Sequence, residues 1–304
     1  MKQLNRRSFL RYAAQAAAAG VAPLWLSPYL SGRPSASGEM KLLRGQVGYY
    51  LERGGTIGYF QDRDVVGIVD TQFPDTAGHL LERLRELSEA PVDLLVNTHH
   101  HGDHTGGNIL FRELARTHVA HENARNHLER VATERNELDK QLLPTTTYHE
   151  RWSHRLGSEI VSLYYFGPAH TNGDSLVHFE NANVAHVGDL VFNRRFPYID
   201  RTAGASIENW IEVLRKARRA FDRETIYIFG HAAEGYPVTG TRADLKAMGH
   251  YLGCLLKFVA RSKQEGKTLA WLKDNTQEIP GAPEWKGQGI ARSIEAAWAE
   301  LEGR

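Results

Sequence analysis

The sequence predicts an α/β (α+β) protein in which two β-sheets pack face to face with helices on their outer surfaces. Two similar halves of the chain each begin with a group of short strand-like segments and end with helical ones. The strand-like segments are rich in β-branched and aromatic residues, and the helical segments carry apolar residues at helical spacing. Two sheets flanked by helices bury all of these apolar faces in one domain.

The first half begins with a strand-rich segment, residues 41–73, which we interpret as three strands separated by turns at "RGG" and "QDRD". A helix is predicted over residues 76–90, where leucines recur at helical spacing. A short apolar strand, residues 91–98, leads directly into a histidine-rich stretch. Two further helices are predicted after it, over residues 106–115 and 122–143.

The second half repeats this order. Three strand segments are predicted first, at residues 159–170, 174–180 and 183–192. An amphipathic helix follows over residues 206–221. A last strand, residues 225–231, ends on a histidine, and the chain from Thr241 onward is predicted to be mostly helical.

The N-terminal residues 1–37 are predicted to be an export signal. They contain five basic residues and no acidic one, and "RRSFL" precedes an alanine-rich run. Adjacent Arg6 and Arg7, followed by Phe9 and Leu10, resemble a twin-arginine signal, which is read by a receptor. This implies a periplasmic protein whose domain spans residues 38–304 and keeps no stable membrane span after export. An N-terminal anchor or a chance basic helix is the alternative.

The charge and the cysteine content limit which classes of partner and which kinds of metal ligand the protein can have. Beyond residue 37 the chain has 32 basic and 36 acidic residues, so it offers no general attraction for nucleic acid. A small-molecule substrate is therefore expected. The single cysteine, Cys254, cannot form a disulfide within the chain, and a metal would have to be held by nitrogen and oxygen ligands. The sequence leaves the oligomeric state open.

The stretch "NTHHHGDHTGGN", residues 97–108, concentrates metal-ligand side chains. His99 and His101 are two residues apart on an extended segment, so they point the same way and can share one metal ion. Asp103 and His104 begin the next turn and can reach a second ion. His100 should point away from its neighbours.

Three further candidates follow predicted strands in the second half. His170 lies in "GPAHTNGD", Asp189 in "VAHVGDLVF" and His231 in "YIFGHAAEG". Strand ends along one rim of a sheet converge on a common pocket, where ligand sites form. The loop of residues 192–206 is the longest irregular segment. We expect Arg194, Arg195, Phe196 and Tyr198 from this loop to line the pocket, and an ordinary surface loop is the alternative.

These motifs, in this order, resemble the metallo-β-lactamase fold superfamily over roughly residues 40–260. The resemblance implies a four-layer αββα sandwich and a site for two divalent metal ions, usually zinc. Iron and manganese also suit such ligands. By this resemblance one metal would be bound by His99, His101 and His170, the other by Asp103, His104 and His231, with Asp189 bridging the two. Asp70, at a strand end common in this superfamily, is expected to hydrogen-bond a ligand.

The resemblance implies a binuclear metal-dependent hydrolase that cleaves an ester, thioester, lactone or lactam with a metal-bound hydroxide, and Asp103 would orient the hydroxide or carry a proton. With Asp189 present and no cysteine among these residues, the ligand set resembles that of glyoxalase II-like hydrolases more than that of true zinc β-lactamases. Weak or broad β-lactamase activity is one alternative. The other is a periplasmic accessory metalloprotein of a redox or quinoprotein pathway.

Overall fold

The structure is a computed structural model that describes residues 38–303. The predicted export signal, residues 1–37, lies outside the described residues. Residues Gly38–Arg304 form one compact unit.

The first sheet has seven strands in chain order. They are β1 (Glu39–Arg44), β2 (Val47–Leu51), β3 (Ile57–Gln61), β4 (Val66–Val69), β5 (Val92–Val96), β6 (Thr117–His121) and β7 (Thr146–Tyr148). Strands β1 to β4 are antiparallel, whereas β4 to β7 run parallel. The prediction of three strands over residues 41–73 was wrong, because Gly45, with φ of +57°, makes a tight turn that separates β1 from β2.

The second sheet has six strands in the order β15-β13-β11-β10-β9-β8. They are β8 (Arg151–Leu156), β9 (Glu159–Tyr164), β10 (Leu176–Phe179), β11 (Val184–His186), β13 (Ile226–Ile228) and β15 (Thr239–Gly240), and a separate parallel pair joins β12 (Phe192–Asn193) to β14 (His231–Ala232). The pattern analysis missed β6, β7, β8 and β15. Strand β8 is polar and lies at the sheet edge, so it lacks a continuous apolar signal.

Seven α-helices cover the sheets in the described part of the chain. They are α1 (Pro74–Leu87), α2 (Gly102–Thr105), α3 (Glu122–Glu134), α4 (Ile207–Ala220), α5 (Arg242–Gln264), α6 (Leu269–Asn275) and α7 (Ile290–Leu301). The segment predicted as a helix over residues 106–115 is instead a 3₁₀ helix, Gly106–Phe111. Helix α3 is shorter than predicted, and Asn136 just beyond it has a positive φ of 55° that ends the helical path.

Three apolar clusters hold these layers together. Side chains of both sheets, including Val119 of β6 and Val177 of β10, fill the space between them. Leu80 of α1 packs on the outside of the first sheet, and Trp210 of α4 with Leu252 of α5 packs on the outside of the second. Each is completely or almost completely buried, and burying a side chain of this size stabilises a fold by about 1.5–3 kcal/mol. The αββα sandwich predicted from the sequence is confirmed.

No helix within residues 38–303 is both long enough and apolar enough to cross a lipid bilayer.

Candidate metal centre

The site lies where several strands end along one edge of the sandwich. Asp70 follows β4, and the histidine-rich stretch follows β5 and continues into α2. From the second sheet, Asp189 follows β11 in a short 3₁₀ turn and His231 follows β13. His170 lies in the loop between β9 and β10. All seven candidate ligands identified in the sequence are brought together here.

Four of them form what we term the first cluster: His99, His101, His170 and Asp189. The Nδ1 atom of His101 lies 3.0 Å from the Nε2 atom of His99 and 3.0 Å from that of His170. The Asp189 Oδ2 atom is 3.8 Å from His99 Nε2 and 3.5 Å from His170 Nε2. One potential ligand atom from each residue lies within 4.8 Å of the others.

The remaining three, Asp103, His104 and His231, form the second cluster. His231 Nε2 is 3.2 Å from Asp103 Oδ2, and both His104 and His231 approach the Oδ1 atom of Asp189, at 3.0 and 3.5 Å. Asp189 therefore directs one carboxylate oxygen toward each cluster. This position between two groups of ligands is the one that a bridging carboxylate requires.

Hydrogen bonds around the first cluster determine which imidazole nitrogens carry a proton. His170 Nδ1 donates to the Tyr198 carbonyl at 2.8 Å, and His101 Nε2 donates to Asp200 Oδ2 at 3.0 Å. The hydroxyl of Thr98 donates to Asp70 Oδ2, so its oxygen accepts from His99 Nδ1 at 3.0 Å. In neutral imidazoles the opposite nitrogens then carry lone pairs.

Three lone pairs, on His99 Nε2, His101 Nδ1 and His170 Nε2, consequently face one another at hydrogen-bonding distances with no proton to share. This arrangement is repulsive unless a cation occupies the space between them. Burial lowers the pKa of His99 well below its usual value and that of His170 to about 4, so both are held in the neutral form that binds metals. The donor set of the first cluster therefore fits a divalent ion.

The donor set of the second cluster also fits a divalent ion. His104 Nδ1 donates to Asp70 Oδ2 at 2.7 Å, and His104 Nε2 is directed at Asp189 Oδ1 at 3.0 Å. Both of these atoms are buried and neither has a hydrogen-bond partner, although they are close together. Burial disfavours the His104 imidazolium, but the carboxylates of Asp189, Asp70 and Asp103 raise its pKa well above the usual value. The carboxylates thus favour a positive charge at His104 Nε2, and a divalent ion bound there would replace the proton and face the same carboxylates.

The expected role of Asp70 agrees with this geometry. Its Oδ1 atom accepts from the Thr98 backbone N–H at 2.7 Å, and its Oδ2 atom accepts from both Thr98 and His104. A carboxylate that accepts from a ligating imidazole fixes the tautomer and the ring orientation. Asp70 has a φ of 65°, unusual for a non-glycine residue, and such backbone strain is often found at functional sites.

Two glycines allow the backbone to approach the ligands closely. A Cβ atom on Gly55 would overlap the His104 ring, and one on Gly230 would overlap Asp189 Oδ1. Any side chain at either position would displace a candidate ligand.

Asp200 is a residue of the site that the sequence analysis missed. Its Oδ2 atom accepts from His101 and lies 3.6 Å from His100 Nε2, and its backbone N–H donates to the His170 carbonyl at 3.1 Å. His100 points away from the first cluster, as expected, and its ring packs on His127 at 5.0 Å. The position of Asp200 in the long loop that follows Asp189 was the available signal.

A cleft of about 870 Å³ opens onto both clusters. As predicted, Arg195, Phe196 and Tyr198 line it. Arg194 does not: its guanidinium lies over the Trp285 ring at 5.0 Å, and the prediction for this residue was wrong. The cleft walls also contain apolar side chains and basic residues of α3 and α7.

Comparison with known families agrees with this geometry. The model of the "Metallo-beta-lactamase superfamily" matches residues 52–231, more than half of the chain. The chain belongs to this superfamily. The matched range includes all seven residues of the two clusters.

Individual relatives are distant or partial. The 2,4-dinitroanisole O-demethylase subunit alpha of Nocardioides sp. (strain JS1661) is 33% identical over 103 residues, which are 34% of this chain and 30% of that subunit. The chain thus matches less than a third of the length of this curated relative.

Two solved structures share the fold. A double mutant of the sec-alkyl sulfatase PisA1 aligns with a TM-score of 0.68 and 12% identity, over 88% of this chain and 50% of that one. A metallo-beta-lactamase from Pontibacter korlensis aligns with a TM-score of 0.57 and 18% identity, over 71% of this chain and 99% of that one. At these identities the likeness concerns the fold alone.

Proposed function

We propose that this protein is a binuclear metal-dependent hydrolase, with zinc as the preferred metal and iron or manganese as the alternatives. The observation that carries the proposal is the set of imidazole lone pairs that face one another without a proton. The first cluster would hold one ion and the second cluster the other, with Asp189 shared between them. Bound divalent ions would supply an activated water and polarise a substrate carbonyl.

The protein's own residues would orient and deprotonate that water. Asp103 is 34% exposed at the floor of the cleft, whereas Asp189 is only 4% exposed. Burial opposes ionisation of Asp103, but the nearby His104 and His231 outweigh it and hold its pKa below the usual range. A carboxylate at this position can accept a hydrogen bond from the water and receive its proton. The buried side chains of Phe196 and Leu128 form apolar parts of the cleft wall.

We propose an ester, thioester, lactone or lactam as the bond that is cleaved. A hydrolysis panel on the full zinc-loaded chain tests this directly. It would contain a nitrophenyl ester, S-lactoylglutathione, an acyl-homoserine lactone and a chromogenic cephalosporin, each with a chelator control. Chelator-sensitive turnover of one class would identify the bond. Turnover of the cephalosporin alone would favour the β-lactamase alternative.

The partial likeness to an O-demethylase subunit favours a second candidate, cleavage of an aryl methyl ether, so 2,4-dinitroanisole is a fifth substrate for the panel. If two equivalents of metal bind but none of the five substrates reacts, the hydrolase proposal fails. An accessory metalloprotein of a redox or quinoprotein pathway would then be the better interpretation.

We also propose that residues 1–37 direct export to the periplasm through a twin-arginine route. Replacing Arg6 and Arg7 together by lysine should retain the full-length chain in the cytoplasm, as measured by cell fractionation. The matched control exchanges two basic residues outside the arginine pair with the same conservation of charge, as Lys2→Arg and Arg11→Lys. Export of the Arg6/Arg7 variant at the normal level would contradict the proposal.

A further inference from the structure

One wall of the cleft is built from the loop after β12 and from helix α7, and several bonds hold the two together. The buried Ser293 hydroxyl of α7 donates to the Pro197 carbonyl at 2.9 Å. Arg201 in the loop pairs with Glu300 of α7 at 3.2 Å. This wall is therefore fixed relative to the first cluster, because the same loop supplies the Tyr198 carbonyl that orients His170.

The charges that line the cleft outside the metal centre are mostly positive. The lining includes five basic side chains but, apart from the aspartates of the metal centre, only two acidic ones, Glu134 and Glu137. Arg130 pairs with Glu134 at 3.0 Å and Lys140 with Glu137 at 3.2 Å.

The other three basic residues, Arg135, Arg195 and Arg292, form no ion pair with any residue in the range 38–303. Yet beyond residue 37 the sequence has more acidic than basic residues. A cleft lined by one sign of charge raises the local concentration of ligands of the opposite sign.

Arg195 and Arg292 belong to the wall beside the first cluster. The Arg292 guanidinium lies 5.5 Å from the centre of the Tyr198 ring, and that ring in turn lies 5.3 Å from the His101 ring. One aromatic ring thus separates an unpaired cation from a candidate metal ligand. The Tyr198 ring, which is 40% exposed, offers apolar surface for a hydrocarbon chain.

Building on the proposed function, we propose that Arg195 and Arg292 form a subsite for an anionic oxygen group at the end of the substrate's acyl chain. The substrate class is then an ester or thioester that carries a free carboxylate a few methylene groups from the scissile carbonyl. Guanidinium groups suit this role because they donate two parallel hydrogen bonds to one carboxylate. In the reaction, water adds to the carbonyl and the acyl C–O or C–S bond breaks. The acyl part leaves as a dicarboxylic acid, one proton of the water passes to the departing alcohol or thiol, and the terminal carboxylate is unchanged.

A matched pair of esters tests the subsite. Mono-4-nitrophenyl adipate and 4-nitrophenyl hexanoate both have acyl chains of six carbons. The adipate chain ends in a carboxylate, whereas the hexanoate chain ends in a methyl group. The full zinc-loaded chain should prefer the adipate in kcat/KM, after correction for spontaneous hydrolysis. The Arg195→Gln, Arg292→Gln double variant should reduce that preference about tenfold, as expected for two exposed ion pairs, because the adipate loses more kcat/KM than the hexanoate does.

Two further measurements separate the failure of this inference from the failure of the proposed function. Arg112→Gln, which removes an exposed arginine outside the cleft, should leave the preference intact. Calorimetric titration with adipic acid monoamide and with hexanamide measures binding without turnover. Suppose that neither ester is cleaved, but the monoamide binds and the double variant weakens that binding. This result would support the subsite and contradict the hydrolase proposal.

Equal loss of both ester activities in the double variant, or an unchanged preference, would overturn the subsite while leaving the hydrolase proposal in place. Failure of the monoamide to bind more tightly than hexanamide would overturn it as well.

Discussion

Asp200 contacts two histidines of the first cluster through different atoms. Its Oδ1 atom accepts from the backbone N–H groups of Thr202 and Ala203 and from the Thr202 hydroxyl, and its Oδ2 atom accepts from His101. An asparagine at this position would keep its carbonyl oxygen on the side with three donors. Its NH₂ group would then face the His101 N–H, and the two donors would repel each other.

We therefore predict that Asp200→Asn weakens zinc binding about 10- to 100-fold, the usual effect of removing such a partner of a ligating histidine. Competition with a chromophoric chelator measures this affinity without reference to turnover. Asp93→Asn is the control, since Asp93 accepts from His154 at 2.8 Å away from both clusters. Equal affinities in the Asp200 and Asp93 variants would show that Asp200 does not position His101.

Asp103 is the residue whose loss should separate chemistry from folding. It is partly exposed and packs into no apolar cluster, so Asp103→Ala should leave the melting temperature of the metal-depleted protein nearly unchanged. We predict a loss of at least about 100-fold in kcat on the substrate that the panel identifies, because both a ligand and a proton acceptor are removed. Near-normal turnover in this variant would contradict the assignment of two metal ions.

At the scale of the secondary-structure elements, the turn between β2 and β3 packs directly against the second cluster. Gly55 lies in this turn, and a methyl group there would overlap the His104 ring. Gly55→Ala should therefore shift His104, lower the bound metal from two equivalents toward one and destabilise the fold by about 1–3 kcal/mol, the usual cost of overpacking. Elemental analysis and thermal melting measure the two effects.

Gly253→Ala provides the comparison, because a methyl group at that position in α5 would meet no other atom within 4 Å. That variant should keep both metal equivalents and gain slight stability from the better helix propensity of alanine. If the Gly55 and Gly253 variants behave alike, the close packing of the turn on His104 has no functional consequence.

The elements also show what pattern analysis can and cannot predict. Strands with continuous apolar runs, such as β5, and amphipathic helices, such as α4, are encoded locally, and their predictions were confirmed. The β1–β2 turn was missed because it consists of only two residues, Gly45 and Gln46, between strands of similar composition. Strand β8 was missed because edge strands need little apolar surface.

The ligand motifs were recognisable in the sequence because the histidine-rich stretch is contiguous and the other candidates follow strands. Asp200 had only its position in a long loop as a signal, because its role depends on that loop returning to the cluster from 99 residues further along the chain. The same holds for Gly55, whose importance arises only from the fold that brings His104 against it. Such contacts are properties of the tertiary structure and leave no periodic signal.

At the scale of the whole molecule, metal binding should couple both halves of the sandwich. The first sheet supplies His99, His101, Asp103 and His104, and the second supplies His170, Asp189 and His231. These side chains converge only in the folded state, so ions that bind them stabilise that state by mass action. Removing the ions leaves lone pairs and carboxylates facing one another across the junction between the sheets.

We predict that a chelator lowers the melting temperature of the zinc-loaded chain by about 10 °C. This shift corresponds to about 4 kcal/mol, which is the stabilisation expected when free zinc exceeds its dissociation constant about 1,000-fold. Differential scanning calorimetry at fixed protein concentration measures the change, and adding zinc back should restore the original value. His101→Ala, which removes one ligand of the first cluster, should show a clearly smaller shift because it binds metal more weakly. A chelator effect of the same size in the variant and the wild type would mean that the stabilising ion binds somewhere other than these clusters.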